Sequence, residues 1–298
     1  MQPTQFSEIP NPSIFRKIAA AQWLPAKDPT VYGYLDVDAT PALAHLEAVR
    51  ARTGVKVTMT HLVARAIATA FARHPDFNAK IDFLGRIKRR HSVDLFIQVS
   101  TQNGEDLSGV RVDDADRKPL VALAREVSEK AAAIRENRDP VFERSRRLFG
   151  LLPAWLVKPV LGAVDFAVNE LELHLPGQGM PRDAFGTAMV TNVGMFGIDT
   201  GFAPLVPIAR CVVVVLVAEV RQRPWVVSDR VEPRPVLRLC ASFDHRVLDG
   251  FQAGVLAREV EGLLSDPAQL GDEPAEPAPG AAKKVAGEPR EPKVKSPV

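Results

Sequence analysis

The chain has 298 residues, of which 46% are hydrophobic and 25% charged, and its formal net charge is +2. That length can bury a substantial core, and the composition is that of a folded globular domain, not of a fibrous or disordered chain. So small a charge excess offers no concentrated basic surface, so nucleic acid is not an expected partner.

Residues 1–12 are polar and proline-punctuated and read as an arm, and the pattern from Ser13 to Trp23 predicts a short helix. The first thirty residues hold prolines and charges but no apolar signal-peptide core, so a cytoplasmic location is expected. Val31 to Val37 alternates as a strand. Thr40-Pro41 supplies an N-cap and an N1 proline for a helix to about Arg52, which Gly54 ends. Thr60 is expected to cap a second helix that runs through Phe71 and stops at His74-Pro75. Val93–Val99 and Leu107–Val112 read as strands with an Asn103-Gly104 turn between them, and Pro119 to Arg135 reads as a helix.

Residues 139–184 interrupt this rhythm as an insertion. Its apolar run, Leu148 to Phe166, is broken by Pro153, Lys158, Pro159 and Asp165, whereas a spanning helix needs roughly 20 nearly uninterrupted apolar residues. Two short amphipathic helices are expected instead, with the prolines at turns or first helical positions. Trp155, Leu156, Val160, Leu161 and Val164 recur near helical spacing and could form one buried stripe. A cap over the core is the leading reading of that stripe; an oligomer contact and a lipid-facing patch are the others.

Thr187–Asn192 reads as a strand leading into Gly194-Met-Phe-Gly197. Cys211–Val217, nearly all β-branched, reads as a strand buried on both faces. Trp225–Val227 and Val236–Phe243 read as a pair joined through Ser228–Val231, and Phe251–Leu264 as a helix. The expected domain is 13–270; residues 271–298, rich in Pro, Ala, Glu and Lys without hydrophobic periodicity, read as a disordered tail. Cys211 and Cys240 sit in apolar runs as small hydrophobes; a reducing compartment fits, and a single disulfide is left open.

His45, His61, His74, His91 and His174 have structural or solvated explanations. His245 differs: it lies in Ser242-Phe-Asp-His-Arg-Val-Leu-Asp-Gly250, between a strand and a helix, with Asp244 and Asp249 beside it. Such loops expose reactive groups on a rigid frame. By themselves these residues leave a catalytic base and a loop brace equally open. A metal is not expected, because His245 and Asp249 lack a third ligand. Ser242 is too close to His245 to be an obvious nucleophile, and there is no Gly-x-Ser-x-Gly elbow. No glycine-rich dinucleotide or P-loop pattern occurs either.

The His245-x-x-x-Asp249-Gly250 segment resembles the active-site motif of the chloramphenicol acetyltransferase-like fold, and most closely that of dihydrolipoyl acyltransferase catalytic domains. Further segments share that likeness in the family's order: Ile14-Phe-Arg-Lys-Ile-Ala19, Thr58–Ala66 with His74-Pro-Asp-Phe-Asn-Ala79, Gly186–Gly197, Pro204-Leu-Val-Pro207, and Leu256–Leu270 with Leu264-Ser-Asp-Pro267. The resemblance implies an α/β two-layer sandwich, a mixed sheet with packed helices, that moves an acyl group between coenzyme A and a thiol of the dihydrolipoyl type or another small acceptor. It implies His245 as general base and Thr191, where the family has serine, as the hydroxyl that stabilises the tetrahedral oxyanion. Asp249 is the third catalytic position that the resemblance implies, either bracing the loop against an arginine such as Arg16, the favoured reading, or assisting the histidine, with Asn192 and Gly250 as further support. An ordinary thiol titrates near 8.5 and an imidazole near 6.5, so a base is both needed and available at neutral pH, and moving the proton costs roughly 2.7 kcal/mol.

The resemblance also implies a trimer or a multiple of trimers, with a lipoyl-bearing protein in trans as a candidate partner. Asp106-Leu-Ser-Gly-Val-Arg111 stands where the family has Gly-Leu-Val-Val-Pro-Val, and the insertion is longer than the usual connection. Neither a lipoylation hairpin nor a peripheral-subunit-binding domain is recognisable, so the sequence reads as a stand-alone catalytic domain with no covalent lipoyl group. An assembly protein that keeps the fold without turnover is the second reading. A membrane-surface acyltransferase, with the insertion as anchor, is the third.

Overall fold

A computed structural model describes residues 28–100, 107–136, 153–173 and 183–271. The expected arm, the Ser13–Trp23 helix, Arg16, the Asn103-Gly104 turn, His174 and nearly all of the tail lie outside these.

The strands are β1 (Thr30–Asp38), β2 (Ala79–Ile81), β3 (Ile87–Arg89), β4 (Leu95–Ser100), β5 (Leu107–Val112), β6 (Ala188–Asn192), β7 (Val213–Val217), β8 (Arg221–Val227) and β9 (Arg230–Asp244). The helices are α1 (Thr40–Thr53), α2 (Met59–Arg73), α3 (Leu120–Arg135), α4 (Ala154–Asp165) and α5 (Gly250–Ser265). The main sheet runs β1-β9-β7-β6-β4-β5, with β8 also on β9, and β2 and β3 form a separate hairpin. β6 is parallel to β4 and β7, and the remaining pairs are antiparallel. This is the expected mixed sheet with packed helices.

Helices cover one face. Leu46, Leu62, Phe71, Leu123 and Leu263 pack there against Leu95, Val190, Val213, Val215, Val217 and Leu237 of the strands. The intervening strand residues face the other way: Met189 and Val214 join Cys211 and Ala209, while Leu216 joins Cys240 and Ala218. β7 is therefore buried on both faces, which is why its sequence is an unbroken apolar run. The cysteines lie in different clusters and are unpaired, and burial pushes the Cys211 thiol up to about 12.

Several boundaries differ from the sequence reading for local reasons. The Asp38 carboxylate accepts from the Thr40 N–H (2.8 Å) and hydroxyl, so the capping oxygen of α1 comes from Asp38 and not from Thr40. α2 is capped by Thr58, not Thr60: Thr58 accepts from the His61 N–H, and His61 Nδ1 accepts from the Thr58 N–H at 3.3 Å. Histidine thus fills the capping-box position usually held by Glu or Gln. β8 begins at Arg221, earlier than expected, because the whole stretch pairs with Arg230–Val236. Its two-residue turn puts Ser228 and Asp229 at φ 45° and 63°, the left-handed pair that a type I′ hairpin needs.

The insertion departs most. None of Trp155, Leu156, Val160, Leu161 and Val164 is buried, so the stripe does not cap the core. Pro153 is the N-cap of α4, but Pro159 lies inside the helix, where it removes one backbone donor. A π-helical turn, Phe166–Glu170, follows.

Three arginines fasten the β2–β3 hairpin and the insertion to the sheet. Arg90 holds Asp183 through two bonds, 2.7 and 3.0 Å, and the Ala79 and Arg210 carbonyls. Arg111, in the segment that departs from the family pattern, pairs with Asp94 at 2.7 Å and reaches the Asp183 carbonyl. Arg210 holds Asp165, Glu170 and the Ile81 carbonyl. Burial pushes the Asp183 carboxyl up, but hydrogen bonding and charge from Arg90, with Lys80 and Arg111, outweigh it and keep it below the usual carboxylate range.

Candidate active site

β9 runs out of the sheet at Asp244, and the loop His245–Asp249 carries the chain into α5. Asp244 organises the loop. Its carboxylate accepts from the Arg246 N–H (3.0 Å), Nε (2.9 Å) and guanidinium terminus (2.7 Å), while its carbonyl accepts from the N–H groups of Val247 and Leu248, each at 2.9 Å. Leu248 plugs the core beneath. The His245 N–H donates to the Pro29 carbonyl at 3.0 Å, the only hydrogen bond of His245 among the described residues. A fastened backbone thus presents an exposed imidazole that none of the described residues engages.

Asp249 lies on the same loop but does different work. One of its oxygens accepts from the N–H groups of Phe251 (2.7 Å) and Gln252 (3.3 Å), and Gln252 returns a bond to the Asp249 N–H at 2.9 Å. It braces the loop as the cap of α5. The expected partner, Arg16, lies outside the described residues, and the paired arginine of the loop is Arg246. A Cβ on Gly250 would meet nothing within 4 Å, so contacts among the described residues do not require glycine there.

Thr191 is half-buried near the end of β6, and its hydroxyl has no partner among the described residues. Its neighbour Asn192 donates to the Thr60 hydroxyl at 2.7 Å, tying β6 to α2. Gly194 follows where a Cβ would stand 2.7 Å from the Ala218 carbonyl oxygen, so the turn that ends β6 requires glycine.

The register does not bring Thr191 and His245 together. Thr191 pairs with Leu216, which pairs with Cys240, five residues before His245. That is about 16 Å along the strands and about 10 Å across two of them. The two residues lie toward opposite ends of the sheet.

Of the remaining candidates, the Ser242 hydroxyl is buried and donates to the Ala203 carbonyl at 2.6 Å, so it is no nucleophile here. His61 is a cap, and His74 stacks on Phe77 and lies 3.7 Å from Glu259. Among the described residues no group of three His, Cys, Asp or Glu side chains converges as a metal site would require. A cavity of about 250 Å³ lies between α2, α5 and the sheet. Gly33, Ala70, Phe71, Val215 and Ala257 help to line it, and no histidine, carboxylate or thiol does, so it offers no group for acyl transfer. The sequence reading noted Asp244 but missed its clamp on Arg246; the only signal was an Asp-x-Arg spacing that many exposed turns share.

The architecture is that of known acyltransferase cores. It matches the cubic core of the pyruvate dehydrogenase multienzyme complex with a TM-score of 0.61 at 22% identity, over 91% of this chain and 98% of that one. It matches the dihydrolipoamide acetyltransferase of Azotobacter vinelandii with a TM-score of 0.60 at 22% identity and the same coverage. In sequence, the chain is 25% identical over 271 residues to the lipoamide acyltransferase component of the branched-chain alpha-keto acid dehydrogenase complex of Pseudomonas putida, covering 90% of this chain and 54% of that protein. The chain spans about half the length of the curated relatives it matches. The family model of the 2-oxoacid dehydrogenases acyltransferase (catalytic domain) matches residues 5–143 and 182–271. The chain belongs to that family.

Proposed function

We propose that this protein is a coenzyme A-dependent acyltransferase, passing an acyl group between the thiol of coenzyme A and a second thiol of the dihydrolipoyl type. The observation that carries the reading is His245: an exposed imidazole without a hydrogen-bond partner among the described residues, on a loop whose backbone is fastened by Asp244, Pro29 and the α5 cap. A histidine that merely braced the loop would spend its ring on the loop.

In this reading the imidazole takes the proton of the attacking thiol as its sulfur bonds to the thioester carbonyl carbon, so that no free thiolate has to form. The carbonyl oxygen becomes an oxyanion and receives the Thr191 hydroxyl as donor. The intermediate then collapses, the carbon–sulfur bond to the first thiol breaks, and the imidazolium returns its proton to that leaving sulfur. Atoms and charge balance without a metal or a redox partner. The separation of Thr191 from His245 within one chain means that the two groups meet only across neighbouring copies, which favours a cyclic oligomer such as a trimer. A lipoyl-bearing protein in trans is the partner that the thiol chemistry fits.

His245→Ala should lower acyl transfer from acetyl-coenzyme A to dihydrolipoamide by about 10²–10⁴-fold, the usual worth of a general base, without unfolding the protein. A variant that kept more than about a tenth of the activity would remove His245 from the role. Thr191→Val should cost roughly 2.7–4 kcal/mol of transition-state stabilisation and Thr191→Ser little. Equal rates in the two would sink the hydroxyl's part.

A further inference from the structure

The residue directly before His245 is a carboxylate, Asp244, with only 11% of its side chain exposed. A carboxylate beside an imidazole diverts it in two ways. It accepts the ring N–H, and it favours the imidazolium over the neutral ring. Burial strengthens both effects, because solvent screens the charge poorly. A histidine that has to take a thiol proton is served by neither.

The loop withdraws Asp244 from that competition through the residue on the other side of the histidine. The Arg246 N–H (3.0 Å) and Nε (2.9 Å) donate to one carboxylate oxygen, and its guanidinium terminus donates to the other at 2.7 Å. Both oxygens are therefore taken, in the two-pronged fit that a planar guanidinium makes with a carboxylate. Hydrogen bonding and charge from Asp244 in turn raise the Arg246 guanidinium above its usual range, against the opposing effect of burial.

Other charged or titratable groups on the segments that adjoin the loop are engaged elsewhere. Asp28, ahead of β1, accepts from the N–H and hydroxyl of Thr30. Asp249 accepts from the first turn of α5, which carries no charged side chain of its own. Arg210, ahead of β7, holds Asp165 and Glu170, and burial keeps the Cys211 thiol protonated. Among the described residues, the charges that flank the ring in the chain are thus Asp244 and Arg246, locked to each other.

We propose that Arg246 is a positioning residue for the transfer reaction: it occupies Asp244, so that the His245 imidazole stays neutral and free to take the thiol proton. The inference rests on His245 as the base and adds what keeps that base available.

The test follows the neutral imidazole by the rate at which diethyl pyrocarbonate modifies His245, read by peptide mass spectrometry over a pH series, beside the pH profile of acyl transfer. In Arg246→Gln the midpoint of both curves should move up by about one pH unit, the low end of what a carboxylate at close range does. Asp244→Asn, which leaves Arg246 unpaired, should move it down, and the double variant should return it toward the parent. Arg246→Lys, which keeps the charge without the fork, should shift less than Arg246→Gln. A part in folding alone would lower the rates at every pH and leave the midpoints in place. A parent-like midpoint in Arg246→Gln, or a double variant that keeps the single variant's shift, overturns the proposal. If circular dichroism shows Arg246→Gln unfolded, the Asp244→Asn midpoint decides: a downward move supports the proposal, and an unchanged or upward one overturns it. Activity retained in His245→Ala overturns the base reading and this inference with it, whereas a parent-like midpoint beside an inactive His245→Ala overturns this inference alone.

Discussion

Burial at the first turn of α2 holds the His61 imidazole neutral, with its pKa pushed down to about 4. The unfolded chain would protonate it near 6.5. Between those values the unfolded state binds a proton that the folded state refuses, so stability falls as pH is lowered from about 6.5 toward 4. At pH 5 the loss from this one side chain is about 2 kcal/mol relative to pH 7.5. Glutamine at this position keeps the reciprocal cap on Thr58 and does not titrate. His61→Gln should therefore leave the urea midpoint at pH 7.5 nearly unchanged and flatten its fall toward pH 5. A variant with the parent's full pH dependence would assign that fall to other groups. The same contrast separates the histidines: His61 is sequestered and spent on a cap, whereas His245 is exposed and, among the described residues, bonds through its backbone alone.

At the scale of elements, the strand-loop-helix unit from β9 to α5 is the frame of the candidate site, and Asp249 caps its helix. Asp249→Ala removes the oxygen that accepts from Phe251 and Gln252 and should cost about 1 kcal/mol of stability, with Asp249→Asn costing far less. If Asp249 serves only as the cap, acyl transfer should follow stability in both variants. An asparagine variant that is stable and yet inactive would show that the charge itself is needed. This unit was legible in the sequence because its parts are contiguous: an apolar run, a polar loop with histidine, and a helical pattern. The α2 cap was misplaced by two residues because Thr58 and Thr60 both look like caps; Thr58 exchanges bonds with His61, while the Thr60 hydroxyl is taken by Asn192, 132 positions away. The β2–β3 hairpin went unread because its strands are three residues each and the arginine that fastens it to the fold, Arg90, reaches Asp183, 93 positions on. The depth of the α4 stripe was equally hidden, since periodicity marks an apolar face without saying how far it is covered: Leu156, Val160, Leu161 and Val164 are half-buried and Trp155 is exposed.

For the whole molecule, the sheet order sets where the two candidate groups lie. Because β7 separates β6 from β9 and runs antiparallel to β9, Thr191 and His245 fall toward opposite ends of one sheet. The fold class was legible from the motifs in their order, and the sheet register supplies what the motifs could not, the distance between the two groups. An active site that uses both must draw them from two copies of the chain. The most direct test mixes two inactive chains, His245→Ala and Thr191→Val, under conditions that let subunits exchange, and measures acyl transfer. In a cyclic assembly with random mixing, a neighbouring pair supplies an intact His245 and an intact Thr191 to the same site in about one case in four, so activity should return to about a quarter of the parent's. Mixed chains that exchange yet stay as inactive as either parent variant, or a monomer that is fully active by light scattering and assay together, would contradict the shared site.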